Sequence, residues 1–454
     1  MNKNERIKVA FISLGCQKNL IDSEVMIKKL SDAGMEIVED DINADVAVVN
    51  TCGFIESAKK EAIETILDVA WLKENRNLKG IVAAGCLVQR YADTILDEIP
   101  EIDAIVGVGN LDSIVEAVRH AYAKGMKKVD CPYRSVSAPE DQPLGGDRAV
   151  STPEYTAYIK ISEGCDNKCT YCAIPSIRGK FRSRPIEDLV KEAKELAEMG
   201  VKELIVISQD TTRYGRDLYG ESKLPELLRE FCKIDGFKWI RVLYCYPEEI
   251  TDELIDVFAA EDKIVKYLEM PIQHISDNVL RRMNRRGGRE AVESAVKRLR
   301  EKVPVIALRT TVIVGFPGET GGDFAELAEY LKETRFERLG AFKYSEEEGT
   351  PAASFDGKIS EDKKERRYDA VMSNQLTIHE QFNKKQLGKV LEVLCEDYDK
   401  VSECYYGRSI YDTPEIDGKV YFSAKRKVRP GEFVDVRITD VIDYDLVGEL
   451  EENR

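Results

Sequence analysis

The 454-residue sequence lacks the features of a membrane protein and contains little histidine. No apolar run reaches the ~18 residues that a membrane-spanning helix needs, and the apolar stretch 305–316 is interrupted by Arg309. The three histidines, at positions 120, 274 and 379, have no HxxxH or similar spacing, which argues against a histidine-based metal hydrolase. The start of the chain is charged, and its apolar stretch 9–14 is too short for a signal peptide core, so we expect a cytoplasmic location and no membrane partner.

Basic charge is also in deficit. The chain has 67 Lys or Arg against 83 Asp or Glu, a net charge of −16. Because attraction to phosphates requires a basic face, we do not expect nucleic acid as the main substrate, and a basic partner is favoured. The chain is 43% hydrophobic and 33% charged, which is typical of folded globular proteins. Its length suggests about three domains.

The order of apolar runs and amphipathic stretches predicts an α/β fold that opens with a doubly wound parallel sheet. We assign this sheet to a domain of residues 5–125, and the Pro-, Gly- and Ser-containing stretch 126–150 predicts a linker. Its strands are predicted at 8–14, 45–50 and 80–84, and its helices are predicted to begin at Asp22, at Ile55 and after the third strand.

Residues 151–383 predict a second α/β domain, an open partial barrel of six βα units that ends in a charged helix over 360–387. Residues 384–454 change to short apolar runs separated by Gly, Asp and Pro, which predicts a small all-β barrel. The barrel strands are predicted at 155–162, 203–208, 239–244, 265–270, 305–315 and 338–344, and those of the last domain at 390–395, 420–422 and 433–438.

The eleven cysteines contain one compact group, CxxxCxxC, formed by Cys165, Cys169 and Cys172. We call it the loop trio. Three thiolates within eight residues can bind one face of a [4Fe–4S] cluster and leave its fourth iron without a protein ligand. S-adenosylmethionine (SAM) can chelate such an iron and be cleaved reductively to a radical. The alternative is a zinc site or buried thiols, but zinc prefers four N or S ligands and no fourth partner is near in sequence.

A second group of cysteines is spread along the first domain. Cys16, Cys52 and Cys86 each follow a predicted strand closely, and we call them the strand-end trio. Because ligands of open α/β sheets bind outside the carboxyl ends of the strands, the three thiols are predicted to converge on a second cluster. One such cysteine alone is typical of core packing; the repetition favours a metal site. The five other cysteines are interpreted as structural, and the basic run 281–286 as a solvated helix face.

With these three domains and two trios, the whole chain resembles the radical SAM methylthiotransferases, and its last domain resembles their TRAM domain. Three motifs resemble the RimO branch: SLGCQKN at 13–19, NTCGFI at 50–55 and AIPSIRG at 173–179. Tyr171 matches the family's aromatic residue before the last cysteine. One departure is Gln17, where many relatives have proline.

The resemblance implies a radical SAM barrel, two [4Fe–4S] clusters and SAM as cofactor. It implies transfer of a methylthio group to the β-carbon of an aspartate in small-subunit ribosomal protein twelve, with an external electron donor and a sulfur donor. The loop trio would be catalytic, and both trios would be metal ligands. The residues that resemble SAM contacts are Tyr171, Gln209, Gln273, Arg309, Gly315 and Phe316.

Two alternatives remain open from the sequence. The first is methylthiolation of adenosine in tRNA by an enzyme of the same family, but residues 388–454 contain 10 Lys or Arg against 16 Asp or Glu and offer no basic surplus. The second is a non-catalytic electron-transfer or scaffold protein. An electron carrier has no need of an open iron and usually supplies four ligands per cluster, which disfavours that reading.

Overall fold

The computed structural model describes residues 6–39, 41–127 and 131–451. The predicted domain limits at residues 5 and 454, and residues 128–130 of the predicted linker, lie outside the described residues. The predicted α/β class is confirmed: two parallel sheets are followed by a closed β-barrel. In the described part of the chain, no helix combines the length and apolar character needed to cross a membrane.

The first sheet has six parallel strands in the order β2-β1-β3-β4-β5-β6. Strands β1, β3 and β4 are neighbours in the sheet, and their register aligns Ser13 with Asn50 and Asn50 with Ala84. Their carboxyl ends therefore lie side by side. The strands are β1 Lys8–Ser13, β2 Glu36–Val38, β3 Val46–Thr51, β4 Gly80–Gly85, β5 Ala104–Gly107 and β6 Tyr133–Ser135; the helices are α1 Gln17–Asp32, α2 Glu56–Asn75, α3 Cys86–Glu98 and α4 Ile114–Gly125, with 3₁₀ turns at Asp41–Asn43, Val108–Ser113 and Pro139–Asp141.

This domain differs from the expectation in several elements. Strands β2 and β5 and helix α4 were not predicted. Helix α1 begins at Gln17 instead of Asp22, because the extended backbone of Cys16 (φ −94°, ψ 172°) allows the helix to start directly after it. The stretch predicted as a linker contributes β6, which pairs with β5 at the edge of the sheet. A three-residue edge strand has too short an alternation to be recognised from the sequence.

The second sheet is the predicted open barrel, with six parallel strands in the order β14-β13-β12-β11-β10-β7. A short hairpin of β8 and β9 carries the chain into and out of the loop trio. The strands are β7 Thr156–Lys160, β8 Ser162–Glu163, β9 Arg182–Ser183, β10 Glu203–Ile207, β11 Trp239–Val242, β12 Ile264–Glu269, β13 Ala307–Val314 and β14 Arg338–Lys343.

Nine α-helices accompany the described barrel strands, and the last of them is the predicted charged helix. Their apolar faces and the outward-facing strand residues form the largest buried cluster of the molecule. The helices are α5 Ile174–Arg178, α6 Ile186–Glu198, α7 Arg216–Tyr219, α8 Leu224–Cys232, α9 Asp252–Ala260, α10 Asp277–Arg282, α11 Gly288–Lys302, α12 Gly321–Thr334 and α13 Glu361–Lys384, with 3₁₀ turns at Thr211–Arg213, Pro247–Glu249 and Pro351–Ser354.

The C-terminal module is a closed barrel in the order β15-β16-β17-β19-β18. Strands β16 and β19 were not predicted, because Gly407 and Gly448 interrupt their short apolar patterns. The strands are β15 Val390–Asp399, β16 Cys404–Ser409, β17 Val420–Ser423, β18 Phe433–Ile442 and β19 Asp445–Leu450.

Charged residues of the C-terminal module reach the open barrel and pair with buried residues there. The Arg408 guanidinium lies 2.6 Å from Glu203, which also accepts from Arg241 at 2.9 Å. Burial opposes ionisation of Glu203, but Arg408 and Arg241 outweigh it and lower the pKa of this carboxyl to about 2. Asp412 pairs with Arg338 at 2.6 Å. These contacts join the two barrels through buried charge.

We predict that Arg408→Met destabilises the protein by about 3–5 kcal/mol, because it leaves Glu203 buried with one guanidinium partner fewer. The stabilising contribution of Glu203 should be complete above its ordinary pKa of 4.5 and be lost as the pH falls toward 2. Urea unfolding of the wild type and the variant at a neutral pH and at an acidic pH between the two pKa values of Glu203 measures both effects.

Arg437→Met is the matched control, since Arg437 lies in the same module and forms an exposed ion pair with Glu451. Exposed pairs contribute about 0–1 kcal/mol, so this variant should unfold almost as the wild type does. Equal losses in both variants would contradict the role of the buried Glu203 pair.

Candidate active site

The strand-end trio lies at the carboxyl edge of the first sheet. Cys52 directly follows β3, Cys86 directly follows β4 and begins α3, and Cys16 precedes α1. Gly15 between β1 and Cys16 has φ +89°, and a Cβ at this position would lie 2.9 Å from Cys52 Cβ. The close approach of this turn to Cys52 therefore requires glycine. The topology brings the three thiols to one edge, as the strand pattern predicted.

The loop trio lies between β8 and α5, in a loop held by backbone hydrogen bonds. Cys165 N donates to Gly179 O at 3.1 Å, and Cys172 N donates to Cys169 O at 3.1 Å. Asn167, inside the loop, donates through Nδ2 to Asp210 at 2.7 Å, and burial raises the pKa of Asp210 to about 6. The loop is thereby fixed to the end of β10.

Burial shapes the acidity of both trios. It raises the pKa of Cys86 to about 12, although Arg178 opposes the shift, and that of Cys165 to about 11. The pKa values of Cys52 and Cys172 are raised for the same reason. Because thiolates are the metal-binding form, cluster assembly at these residues must release protons.

Neither trio has the geometry of a single-ion site. Over residues 6–39, 41–127 and 131–451, no three His, Cys, Asp or Glu side chains stand close enough to hold one metal ion. A [4Fe–4S] cluster makes a different demand, since each cysteine binds a different iron and the thiolates stand further apart than the ligands of one ion. Each trio consists of three thiols, and this set of donor atoms fits a [4Fe–4S] cluster.

Arg178 connects the two trios. It ends helix α5, which begins two residues after Cys172, and its Nη2 lies 3.1 Å from Cys86 Sγ and 2.8 Å from Asn19 Oδ1. Its Nη1 donates to Asp22 at 2.5 Å. The side chain is 2% exposed. Arg178 was not predicted as a site residue, although it lies in the motif 173–179.

Asp22 and Arg178 belong to a buried ionic network with Lys160 and Glu163. Lys160 Nζ lies 2.7 Å from both carboxylates. Burial opposes ionisation of Glu163, but Lys160 and Arg178 outweigh it and hold the pKa of its carboxyl below the ordinary value. Gln209, a predicted SAM contact, donates from Nε2 to Glu163 at 2.5 Å, and its buried Oε1 has no partner among the described residues.

Lys18 lies beside the strand-end trio, on the barrel side. Its side chain is buried in the first turn of helix α1, and its Nζ lies 2.9 Å from the centroid of the Tyr244 ring. Gln17, the departure noted in the sequence, accepts a hydrogen bond from Tyr244 Oη at 2.8 Å. Burial lowers the pKa of Lys18 to about 8, against the opposing charges of Cys16 and Glu269.

The interpretation of the basic run 281–286 as a solvated face is wrong for two of its residues. Arg285 is 8% exposed, stacks 4.1 Å from the Tyr246 ring centroid and directs Nη1 to within 4.0 Å of Cys169 Sγ. Arg282 donates to Pro317 O at 2.8 Å. Helix α10 ends at Arg282, so the helical periodicity that predicted exposure does not extend to Arg285.

A cavity of about 850 Å³ opens between the first sheet domain and the open barrel. Tyr171 and Gln273 line it together with Phe54 and Phe342. Gln273 has a positive φ of +67° while its backbone N donates to Thr311 O at 2.8 Å. This conformation is uncommon for a residue other than glycine and is held by the neighbouring strand.

The other predicted SAM contacts have diverse surroundings. Phe316 meets Tyr171 edge to face at 6.4 Å between ring centroids. The backbone N–H groups of Gly315 and Phe316 donate to Glu319. The structure places the Arg309 guanidinium elsewhere, 2.6 Å from Asp417 of the C-terminal module. Arg309 therefore joins the contacts between the barrels and not the cavity wall.

Comparison with known families divides the chain into three matched segments. Residues 8–107 match Uncharacterized protein family UPF0004, residues 159–331 match the Radical SAM superfamily, and residues 387–450 match the TRAM domain. The second match implies SAM and a [4Fe–4S] cluster as cofactors.

Curated relatives span nearly the whole chain. The chain is 48% identical over 444 residues to the ribosomal protein uS12 methylthiotransferase RimO of Clostridium botulinum (strain Okra / Type B1), covering 98% of each chain. It is 49% identical over 448 residues to the protein of the same name from Clostridioides difficile (strain 630), covering 98% of this chain and 99% of that one.

Among solved structures, the radical SAM methyltransferase TsrM from Kitasatospora setae matches with a TM-score of 0.56 and 14% identity. The match covers 74% of this chain and 73% of that one. At this identity the likeness shows the fold alone.

We predict that Arg178→Met lowers the melting temperature of the cluster-free protein by about 5–10 °C, because it leaves Asp22 and Glu163 with Lys160 as their remaining cation. Differential scanning calorimetry measures the shift. Arg281→Met is the control, since Arg281 is exposed and should change the melting temperature little. An unchanged melting temperature in Arg178→Met would contradict a structural role for the network.

Proposed function

Because the chain belongs to the RimO family of radical SAM methylthiotransferases, we propose that it adds a methylthio group to the β-carbon of an aspartate in ribosomal protein uS12. The observation that carries the proposal is the pairing of two three-thiol groups across one interface. Helix α5 starts beside the loop trio, and its last residue contacts Cys86 of the strand-end trio. A single-cluster enzyme has no use for the second trio.

In this proposal the loop trio binds the SAM-dependent cluster and the strand-end trio binds an auxiliary cluster. When bound, SAM and the two clusters supply radical hydrogen abstraction and a sulfur group. The protein supplies the positions: the backbone bonds around Cys165 fix one trio, and the strand ends fix the other. Arg285 and Arg178 each place a guanidinium beside one trio, where positive charge favours thiolates.

The predicted SAM contacts are proposed to act through three features. Gln209 offers a buried carbonyl oxygen that has no hydrogen-bond partner over residues 6–39, 41–127 and 131–451, and its Nε2 donates to Glu163, two residues before Cys165. Gln273 and Tyr171 lie on the cavity wall, and Gly315 and Phe316 form the turn after β13 against which Tyr171 packs. Arg309 is left out of this proposal because its guanidinium pairs with Asp417.

The cavity between the sheet domain and the barrel is the proposed entrance for the ribosomal protein. Its wall contains Glu56, Glu346 and Glu361, each paired with a lysine, beside the apolar Phe54 and Phe342. An RNA-binding ribosomal protein is basic, so the net charge of −16 on the whole chain favours its approach. Apolar walls would exclude water while a radical exists.

Neither the named relatives nor the charge of the C-terminal module favours the tRNA alternative. The curated relatives bear the name of a uS12 enzyme, and residues 388–454 are acidic. The proposed reaction also needs an external electron donor and a sulfur donor. A ribosomal target supports the expected cytoplasmic location.

The proposal predicts an added methylthio mass on uS12 when the reduced, reconstituted enzyme is incubated with SAM and purified uS12. Parallel incubation with tRNA is expected to leave the tRNA mass unchanged. Peptide mapping by mass spectrometry would place the added mass on one aspartate. Methylthio mass on tRNA alone would overturn the proposal.

The two-cluster arrangement predicts about eight iron atoms per anaerobically reconstituted chain. Replacing Cys16, Cys52 and Cys86 by Ala should halve the iron content, because four irons lose all three protein ligands. Replacing Cys131, Cys232 and Cys404 by Ala is the control and should leave it unchanged. Iron analysis and electron paramagnetic resonance measure the outcome. Equal iron content in the wild type and in the triple variant of Cys16, Cys52 and Cys86 would refute the second cluster.

A further inference from the structure

Helix α2 has apolar residues on two of its faces. The face that packs in the first sheet domain contains the buried residues Ala62, Ile66, Val69 and Ala70. The other face contains Ile63, Leu67 and Trp71, which are 38%, 49% and 53% exposed. Because these three recur every four positions, they form one apolar strip along the helix, which we call the α2 stripe. A surface helix normally turns polar residues to solvent, and an exposed apolar strip marks a surface that binds a partner.

The α2 stripe starts close to the cavity between the first sheet domain and the open barrel. Glu56, the first residue of α2, lies on the cavity wall, and its side chain is exposed. Ile63, Leu67 and Trp71 follow it by about two, three and four helical turns, so they share its face of the helix. At a rise of about 1.5 Å per residue, the stripe extends from about 10 Å to about 22 Å beyond Glu56. A protein whose loop enters the cavity would cover this distance with the surface next to that loop.

The flank of the α2 stripe has unpaired acidic charge. Three exposed carboxylates that form no ion pair within the described part of the chain belong to Glu61, Asp68 and Glu74. Two lysines of the same helix pair with buried acids instead: Lys59 lies 3.2 Å from Glu347, and Lys73 lies 2.5 Å from Asp103. Because these lysines do not neutralise the flank, the surface beside the stripe attracts a basic partner.

We propose that the α2 stripe is the docking site for the body of the ribosomal protein whose loop enters the cavity. The inference rests on the proposed function and identifies the docked surface by its chemistry, an apolar patch bordered by lysine or arginine. The cavity residues Phe54 and Ile55 directly precede α2, so the cavity wall and the stripe are continuous. Trp71 supplies the largest side chain of the stripe, and tryptophan is enriched among the residues that dominate binding energy.

Charge disfavours two other occupants of the stripe. In a two-fold pair of this chain the patch would face itself, and the acidic flank of one copy would meet the acidic flank of the other. A nucleic acid would be repelled by the same carboxylates. A basic protein with an apolar patch complements both the stripe and its flank.

The test measures binding by enzyme that contains its clusters and SAM but no reductant, so that no turnover occurs. Trp71→Ala and Leu67→Gln should each weaken the affinity for fluorescently labelled uS12 by about 10- to 100-fold, because each removes apolar contact area from the interface. Met199→Ala is the matched control. Met199 directly follows α6 of the open barrel and is 64% exposed, so this variant should keep the affinity of the wild type.

Charge variants test the flank in two directions. Asp68→Lys should weaken the binding of uS12. Lys60→Glu should strengthen it, because it removes the exposed lysine that pairs with Glu64 on the outer side of the helix. Both effects should shrink as salt is added, since exposed charges are screened.

A spectroscopic measurement locates the contact on the enzyme. The chain has two tryptophans, and Trp239 is 3% exposed whereas Trp71 is half-exposed. In enzyme labelled with fluorotryptophan, addition of uS12 should shift the fluorine resonance of Trp71 and leave that of Trp239 in place.

Unchanged affinity in both Trp71→Ala and Leu67→Gln would overturn the inference, and so would an equal loss in Met199→Ala. A wild-type dimer that Leu67→Gln dissociates would assign the stripe to a second copy and would also overturn it. The substituted side chains are exposed, so the melting temperature and iron content should match those of the wild type. Leu67→Lys replaces a variant that fails to fold. Failure of the proposed function is a separate result, seen when wild-type enzyme binds uS12 but adds no methylthio mass to it.

Discussion

Asp22, Lys160, Glu163 and Arg178 form a buried ionic network where the first sheet domain meets the open barrel, and the positions of both trios depend on it. Arg178 uses both terminal nitrogens of its guanidinium. Nη1 contacts Asp22 and Glu163, and Nη2 contacts Cys86 and Asn19. Ions removed from water are stable only while their partners stay in place. Moving the sheet domain relative to the barrel would separate these buried ions from their partners. The network therefore fixes the distance between the trios.

The same principle explains the C-terminal module. Six strands form an open barrel, and its interior contains the charged side chains of Glu203, Arg241 and Arg338. Arg408 and Asp412 from the small β-barrel supply partners for these groups. The small β-barrel therefore completes the interior of the open barrel, because some of its charged residues are the ionic partners of charged residues there.

The sequence was sufficient for the parts of the structure that depend on local pattern and sheet geometry. Neighbouring parallel strands that end directly before Cys52 and Cys86 must place these thiols at one edge, so their proximity could be predicted without a structure. The six barrel strands were predicted because each contains buried apolar residues, although β14 begins with Arg338 and ends with an exposed Lys343. The start of α1 was missed because Cys16 is a weak helix cap by residue type.

Contacts between distant segments could not be predicted in this way. Asp22 and Arg178 are 156 residues apart, and nothing in the local pattern of either residue identifies the other. Arg285 was expected in solvent because its neighbours form a helix, yet the chain leaves the helix at Arg282 and turns the guanidinium toward Cys169. A buried charge acquires its partner from the tertiary fold, which periodicity does not encode.

The distribution of partners separates structural charge from functional charge in this molecule. Asp22, Lys160 and Glu163 have ionic partners at 2.7 Å or less and hold the domains together. The Oε1 atom of Gln209, beside this network, and the carboxylates that flank the α2 stripe have no hydrogen-bond or ionic partner among the described residues. A fold that satisfies its structural charges so closely leaves polar groups open where a ligand or a partner is to complete them, which supports the proposed cofactor contact of Gln209 and the proposed docking site on α2.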